Sequence, residues 1–156
     1  MNYSQYYPID VVNGPGTRAS LFVSGCNHQC KGCYNQATWS PSSGHPFTQE
    51  LEDQIIADLN DLRIKRRGLS LSGGDPLHSD NVDSVLKLVK RVKSECPGKD
   101  IWLWSGFEIA ELNRKQKDIV DLVDALIDGK FEQDLYDPEL LWRGSSNQII
   151  HRFKVE

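Results

Sequence analysis

The chain predicts an α/β fold: a single domain over 1–156, built as a shortened, open (partial) βα barrel of about five or six mainly parallel strands. Three observations predict it. Short apolar runs alternate with segments of helical periodicity, glycine-containing turns follow the apolar runs, and three cysteines crowd the turn after the first run. Parallel neighbours need a crossover connection, so this alternation is the pattern of βαβ units. A complete eight-stranded barrel takes ~250 residues, which a 156-residue chain does not have.

The elements follow in order. Residues 10–17 (DVVNGPGT) carry turn chemistry in Asn13-Gly14 and Pro15-Gly16. Residues 19–23 (ASLFV) are a buried strand that runs directly into Ser24-Gly25-Cys26. Residues 39–47 (WSPSSGHPF) read as a loop. Thr48 is the expected N-cap of a helix whose apolar positions are Leu51, Ile55, Ile56, Leu59 and Leu62. A strand at 69–71 (LSL) leads to Ser72-Gly73-Gly74-Asp75-Pro76. A second helix is expected over 80–95, with Val82, Val85, Leu86, Val89 and Val92 on one face. Strand 101–104 (IWLW) ends in Ser105-Gly106-Phe107, and a third helical segment lies over 108–122. Strand 123–127 (VDALI) ends in Asp128-Gly129, and 149–155 (IIHRFKV) is the last strand. Gly25, Gly73-Gly74, Gly106 and Gly129 therefore all follow strands, and in a parallel sheet those ends share one edge, where α/β proteins place their ligands.

Composition excludes several function classes. A net charge of −4 gives no general electrostatic reason to bind nucleic acid, and no apolar run approaches the length of a membrane span. Four cysteines without a secretory leader at MNYSQYYPID favour free thiols in a reducing cytoplasm over disulfides.

Cys26, Cys30 and Cys33 are spaced C-x3-C-x2-C, with no fourth cysteine nearby. A tetrahedral metal or a cubane cluster takes four ligands, so three thiolates leave one position open for a reacting molecule. A closed site remains the alternative: structural zinc, or a ferredoxin-like cluster, with Cys96 or His28 as fourth ligand. Cys96 reads more simply as a buried thiol at a helix end, and His28 as a neighbour of the ligands. Gly73-Gly74-Asp75-Pro76 permits close backbone approach to a ligand and adds an acceptor, although the same residues also make an ordinary turn. Arg63, Lys65, Arg66 and Arg67 read as solvated cations at a helix end. Trp102 and Trp104 alternate with Leu103, which makes core packing the default. His45, His78 and His151 show no acid–base partner, and Asp128, Asn147 and Gln148 receive no role.

The cysteine triplet after the first strand, followed by Gly-Gly-Asp-Pro after the next, resembles the radical S-adenosylmethionine enzymes. The segments NGPGTRASLFVSGCNHQCKGCYN, LSLSGGDPL, IWLWSGF, DALIDGKF and RGSSNQ are similar to those of the activating enzymes of anaerobic, class III ribonucleotide reductase. That resemblance implies that Cys26, Cys30 and Cys33 hold three irons of a [4Fe-4S] cluster, with S-adenosylmethionine on the fourth. Gly73, Gly74 and Asp75 would bind its amino end; Gly32, Cys33 and Tyr34 would border the adenine. The implied activity is reductive cleavage of S-adenosylmethionine to a 5′-deoxyadenosyl radical that takes hydrogen from a glycine of the reductase large subunit. The implied electron source is a low-potential donor such as flavodoxin. Many members carry an aromatic before the third cysteine where this chain has Gly32, so Tyr34 is the candidate to serve instead. An activase for another glycyl-radical enzyme, and a non-catalytic zinc or iron-sulfur module, are the competing readings.

Overall fold

The computed structural model describes residues 1–33 and 39–153. Its seven strands form one open sheet: β1 (Asn2–Asp10), β2 (Arg18–Val23), β3 (His45–Pro46), β4 (Gly68–Gly73), β5 (Asp100–Trp104), β6 (Ala125–Asp128) and β7 (Ile149–Arg152). The order is β3-β1-β2-β4-β5-β6-β7. The expected parallel core is present as β2, β4, β5 and β6. Two features differ from expectation: there are seven strands rather than five or six, and the outer ones are antiparallel (β1 on β2, β3 on β1, β7 on β6). β1 has no aliphatic run to announce it, because its burial comes from tyrosines. Pro8 interrupts it at a position beyond the two residues that β3 pairs, where no ladder donor is needed.

Helices α1 (Gln49–Asn60), α2 (Val82–Glu95) and α3 (Arg114–Val120) connect the four parallel strands. These strands are added in one direction across the sheet. Right-handed crossovers then put every helix on the same face. Ala19, Leu21, Val23, Leu69, Leu71, Ile101, Leu103 and Leu126 point to that face and pack under Ile55, Leu59, Val85, Leu88, Val89, Val92 and Ile119. The alternate residues, Ser20, Ser70, Trp102, Trp104 and Ile127, face away from the helices.

Helix boundaries follow local chemistry. Thr48 caps α1 as predicted, accepting from the Leu51 N–H at 3.2 Å. The helix stops at Asn60, so Leu62 does not join its apolar stripe and is 97% exposed. On α2 the buried face includes Leu88, while Leu86 is only partly covered. The third helical segment splits into a 3-10 turn at Ile109–Glu111 and α3, each opened by a capping box, from Glu108 and Asn113. The basic run after α1 is not uniformly solvated. Arg66 is 3% exposed and donates to the carbonyls of Pro8 and Asp58, whereas Arg63 stays in solvent with Asp61.

Candidate active site

The C-terminal ends of β2, β4, β5 and β6 open onto one cavity of about 520 Å³ on the sheet face away from the helices. Its wall brings together Cys26, Cys30, Cys33, Gly73, Gly74, Asp75, Gly106 and Gly129, which the sequence spreads over a hundred positions. Trp104 and Trp142 supply an aromatic side, and Val11, Val12 and Leu141 stand exposed at its lip. Gly32 is exposed and is absent from the wall; its φ of +77° makes it a turn residue, so the missing aromatic at this position has a backbone reason. Tyr34 lies outside the described residues.

The Gly-Gly loop is built against the cysteine loop. A Cβ on Gly73 would meet the Val23 carbonyl oxygen at 2.5 Å, and one on Gly74 would meet the Gly25 carbonyl oxygen at 2.6 Å. Without side chains the two backbones bond directly, Gly74 N–H to Val23 O at 2.8 Å and Asp75 N–H to Gly25 O at 2.7 Å. The first demand on these glycines is thus loop-on-loop packing. Asn81, 1% exposed, adds a side-chain tie from its Nδ2 to the carbonyls of Ser24 (2.8 Å) and Asp75 (3.0 Å).

Asp75 is 1% exposed and its carboxylate is fully engaged. Oδ1 accepts from the Leu77 N–H (2.9 Å) and the Ser105 hydroxyl (2.9 Å). Oδ2 accepts from the Gly106 N–H (3.0 Å) and lies 2.6 Å from His28 Nε2. Four donors satisfy the roughly four lone-pair sites of a carboxylate. His28 is thus turned out of solvent, 7% exposed, with Asp75 as its partner.

Cys26 and Cys30 are held in a setting that disfavours bare thiolates. Burial pushes Cys26 up from its ordinary value, the His28 N–H opposes this, and the charges of Asp75, Cys30 and Cys33 push it further up. Burial also pushes Cys30 up, against a backbone N–H from Phe131. A bound cation reverses that balance, because it stabilises the charged form that burial penalises. As they stand, no three His, Cys, Asp or Glu side chains among the described residues converge tightly enough to grip a metal ion. The donor set itself, three soft sulfurs facing one cavity, suits iron–sulfur ligation. Cys96 is 1% exposed at the end of α2, with Sγ 3.9 Å from the Ile56 carbonyl, within the helix-covered core. It is not part of this wall.

Sequence reasoning left several wall residues without roles. Gln148 Oε1 accepts from the Gly144 (2.8 Å) and Ser145 (3.1 Å) N–H groups while its Nε2 donates to Gly129 O (3.0 Å), pinning the segment 143–148 to the end of β6. Asn147 donates to Lys130 O at 2.8 Å. Arg143 is the single lysine or arginine in the wall among the described residues, and its Nε is buried without a partner. Asp128 points away from the cavity, accepting from the Ile109 N–H (2.8 Å) and lying 2.9 Å from His151 Nε2, so His151 does have an acidic neighbour. Only the tandem RGSSNQ hinted at this wall, and such a signal has no meaning until the β6 end is placed beside it.

An open sheet with three cysteines and a glycine-built cavity on its carboxyl edge defines an iron–sulfur class of protein, and residues 12–151 match a family model described as a 4Fe-4S single cluster domain. The chain is 70% identical over 155 residues to the anaerobic ribonucleoside-triphosphate reductase-activating protein of Vibrio cholerae, covering 99% of this chain and 100% of that one. The corresponding Escherichia coli K12 protein is 65% identical over 154 residues (99% and 100%), and that of Enterobacteria phage T4 46% over 150 residues (96% and 93%). The chain belongs to the family of anaerobic ribonucleoside-triphosphate reductase-activating proteins.

Proposed function

We propose that the chain is a radical S-adenosylmethionine activase that installs a glycyl radical on anaerobic ribonucleoside-triphosphate reductase. The observation that carries this reading is the meeting of the C-x3-C-x2-C loop and the Gly73-Gly74-Asp75 loop on one cavity of about 520 Å³. Its relatives bear the name of activators of that reductase. A [4Fe-4S] cluster held by Cys26, Cys30 and Cys33 would, with S-adenosylmethionine bound beside the Gly73-Gly74-Asp75 loop, supply one-electron cleavage of the sulfonium and hydrogen-atom abstraction from the partner's glycine. The electron would come from a low-potential donor such as flavodoxin.

This chain's residues do the holding. Cys26, Cys30 and Cys33 would ligate three irons and leave the fourth open. The N–H groups of Gly74 and Asp75 are engaged with the neighbouring loop, so the loop would meet an amino group through backbone oxygens, with the Asp75 carboxylate acting from behind. Arg143 offers the cavity a fixed positive charge for an anionic group. Trp104 and Trp142 limit water on one side, which matters because a primary carbon radical attacks nearly any nearby C–H bond. No helix among the described residues is long and apolar enough to cross a membrane.

The test is anaerobic reconstitution with iron and sulfide, then reduction and electron paramagnetic resonance with and without S-adenosylmethionine. A reduced-cluster signal that changes on adding S-adenosylmethionine is expected, followed by a glycyl-radical signal when the reductase is added. A cluster indifferent to S-adenosylmethionine, or a preparation holding only zinc, would sink the reading.

A further inference from the structure

His28 sits between two of the three cysteines, yet its side chain leaves the cysteine loop altogether. The ring is 7% exposed, and Nε2 reaches Asp75 Oδ2, 47 positions along the chain, at 2.6 Å. The pocket that receives it is shaped for it. A Cβ on Gly106 would overlap the imidazole, so only glycine leaves room there, and Phe107 meets the ring edge-on with centroids 4.6 Å apart. The carboxylate at the other end of the contact also takes the Ser105 hydroxyl, the Gly106 N–H and the Leu77 N–H. One buried acid thus joins three loops: the cysteine loop through His28, its own Gly-Gly loop through Leu77, and the β5 loop through Ser105 and Gly106.

We propose that His28 is a positioning residue, which sets the cysteine loop against the Gly73-Gly74-Asp75 loop through Asp75 so that a single small molecule can be held by both. The proposal rests on the cluster and S-adenosylmethionine reading of the cavity. Its physical basis is preorganisation. A molecule that must bond to a cluster on one loop and to the backbone of another binds tightly only if the two loops are already in register; otherwise the ordering cost is subtracted from the affinity. The backbone bonds from Gly74 and Asp75 align the Gly-Gly loop with the root of the cysteine loop at Val23 and Gly25. His28 is the contact that extends this alignment past Cys26, into the part of the loop that carries the ligands. A 2.6 Å contact between two buried side chains, with the other Asp75 positions taken by Ser105, Gly106 and Leu77, fixes the His28 ring in one geometry.

The test compares wild type, His28→Gln, His28→Leu, Asp75→Asn and the double variant His28→Leu/Asp75→Asn, each reconstituted anaerobically. Iron per chain, the affinity for S-adenosylmethionine by equilibrium dialysis, and the change in the reduced-cluster resonance on adding it are read separately. The expected result is full iron in His28→Gln and His28→Leu, at least a tenfold loss of S-adenosylmethionine affinity in His28→Leu, and recovery of most of that loss in His28→Gln, whose amide N–H can again reach Asp75. The double variant is expected to bind no more weakly than the weaker single one, as required of two groups acting through one contact. Wild-type affinity in His28→Leu, additive losses in the double variant, or loss of iron in both His28 variants would each overturn the proposal while leaving the activase reading intact. A wild-type cluster that ignores S-adenosylmethionine would overturn that reading and the proposal with it.

Discussion

At the scale of single residues, the four cysteines separate cleanly by position. Cys26, Cys30 and Cys33 line the cavity, and Cys96 closes α2 beneath the helices. Alanine at any one of the first three is expected to abolish the four-iron cluster, read as iron per chain after reconstitution. Cys96→Ala is expected to keep full iron and to lose about 1 kcal/mol of stability from the small void it leaves, read as a shift in urea midpoint. Loss of iron in Cys96→Ala would revive the closed-site alternative. Asp10 carries a pH prediction. Burial opposes its charged form, but hydrogen bonds from Ser20, Asn13 and the Val12 N–H outweigh this and hold its carboxyl below the ordinary 3.8. A depressed folded value means that its contribution is fully present above the ordinary value and is lost as pH falls through the depressed one. Wild type is therefore expected to lose more stability than Asp10→Asn between pH 6 and pH 2, read as a larger fall in urea midpoint, and equal falls would show that the Asp10 bonds contribute nothing.

At the scale of elements, the loops after the parallel strands are held by glycine and by side-chain ties, and their tolerance differs accordingly. Gly74→Ala drives a methyl into the Gly25 backbone and is expected to cost about 1–3 kcal/mol or more, with a parallel loss of S-adenosylmethionine binding. Gly98→Ala is the control. Its φ is +80° but nothing lies within 4 Å of the added carbon, so only the left-handed strain of about 1–2 kcal/mol applies and binding is expected to stay at wild type. Thermal unfolding and equilibrium dialysis on the two variants separate fold from site. Most elements were legible in the chain because periodicity is local: β2, β4, β5 and the Thr48 cap fall where they are expected, β6 starts two residues later, and the α2 stripe takes Leu88 in place of Leu86. Leu62 and Arg66 depart from expectation for one reason. Both depend on where α1 ends, and Asn60–Asp61 carries no glycine or proline to announce it.

At the scale of the whole molecule, the sheet adds strands in one direction and leaves every helix on one face, so the other face is available to form a cavity. The two sides are expected to differ in stability. The helix-covered side is a continuous apolar core, whereas the cavity side depends on loops and on hydrogen bonds such as those of Gln148. Removing the cluster with a chelator is therefore expected to speed amide exchange in residues 26–33 and 129–148 by tenfold or more while β2, β4 and β5 keep their protection. Uniform loss of protection would show instead that the metal holds the entire fold together.

What the sequence by itself determined is the alternation of strands and helices, the C-x3-C-x2-C spacing of three cysteines after the first parallel strand, and the edge of the sheet on which glycine loops collect. Each follows from residue chemistry or from spacing within a dozen positions. Only the tertiary structure decided that β1, β3 and β7 run antiparallel, that Asp75 is a fully bonded strut rather than a bare acceptor, and that His28 and segment 143–148 belong to the site. These depend on contacts across as many as a hundred positions, and it is the register of parallel strands, set by burial of the whole helix-covered face, that brings such residues to within hydrogen-bonding distance.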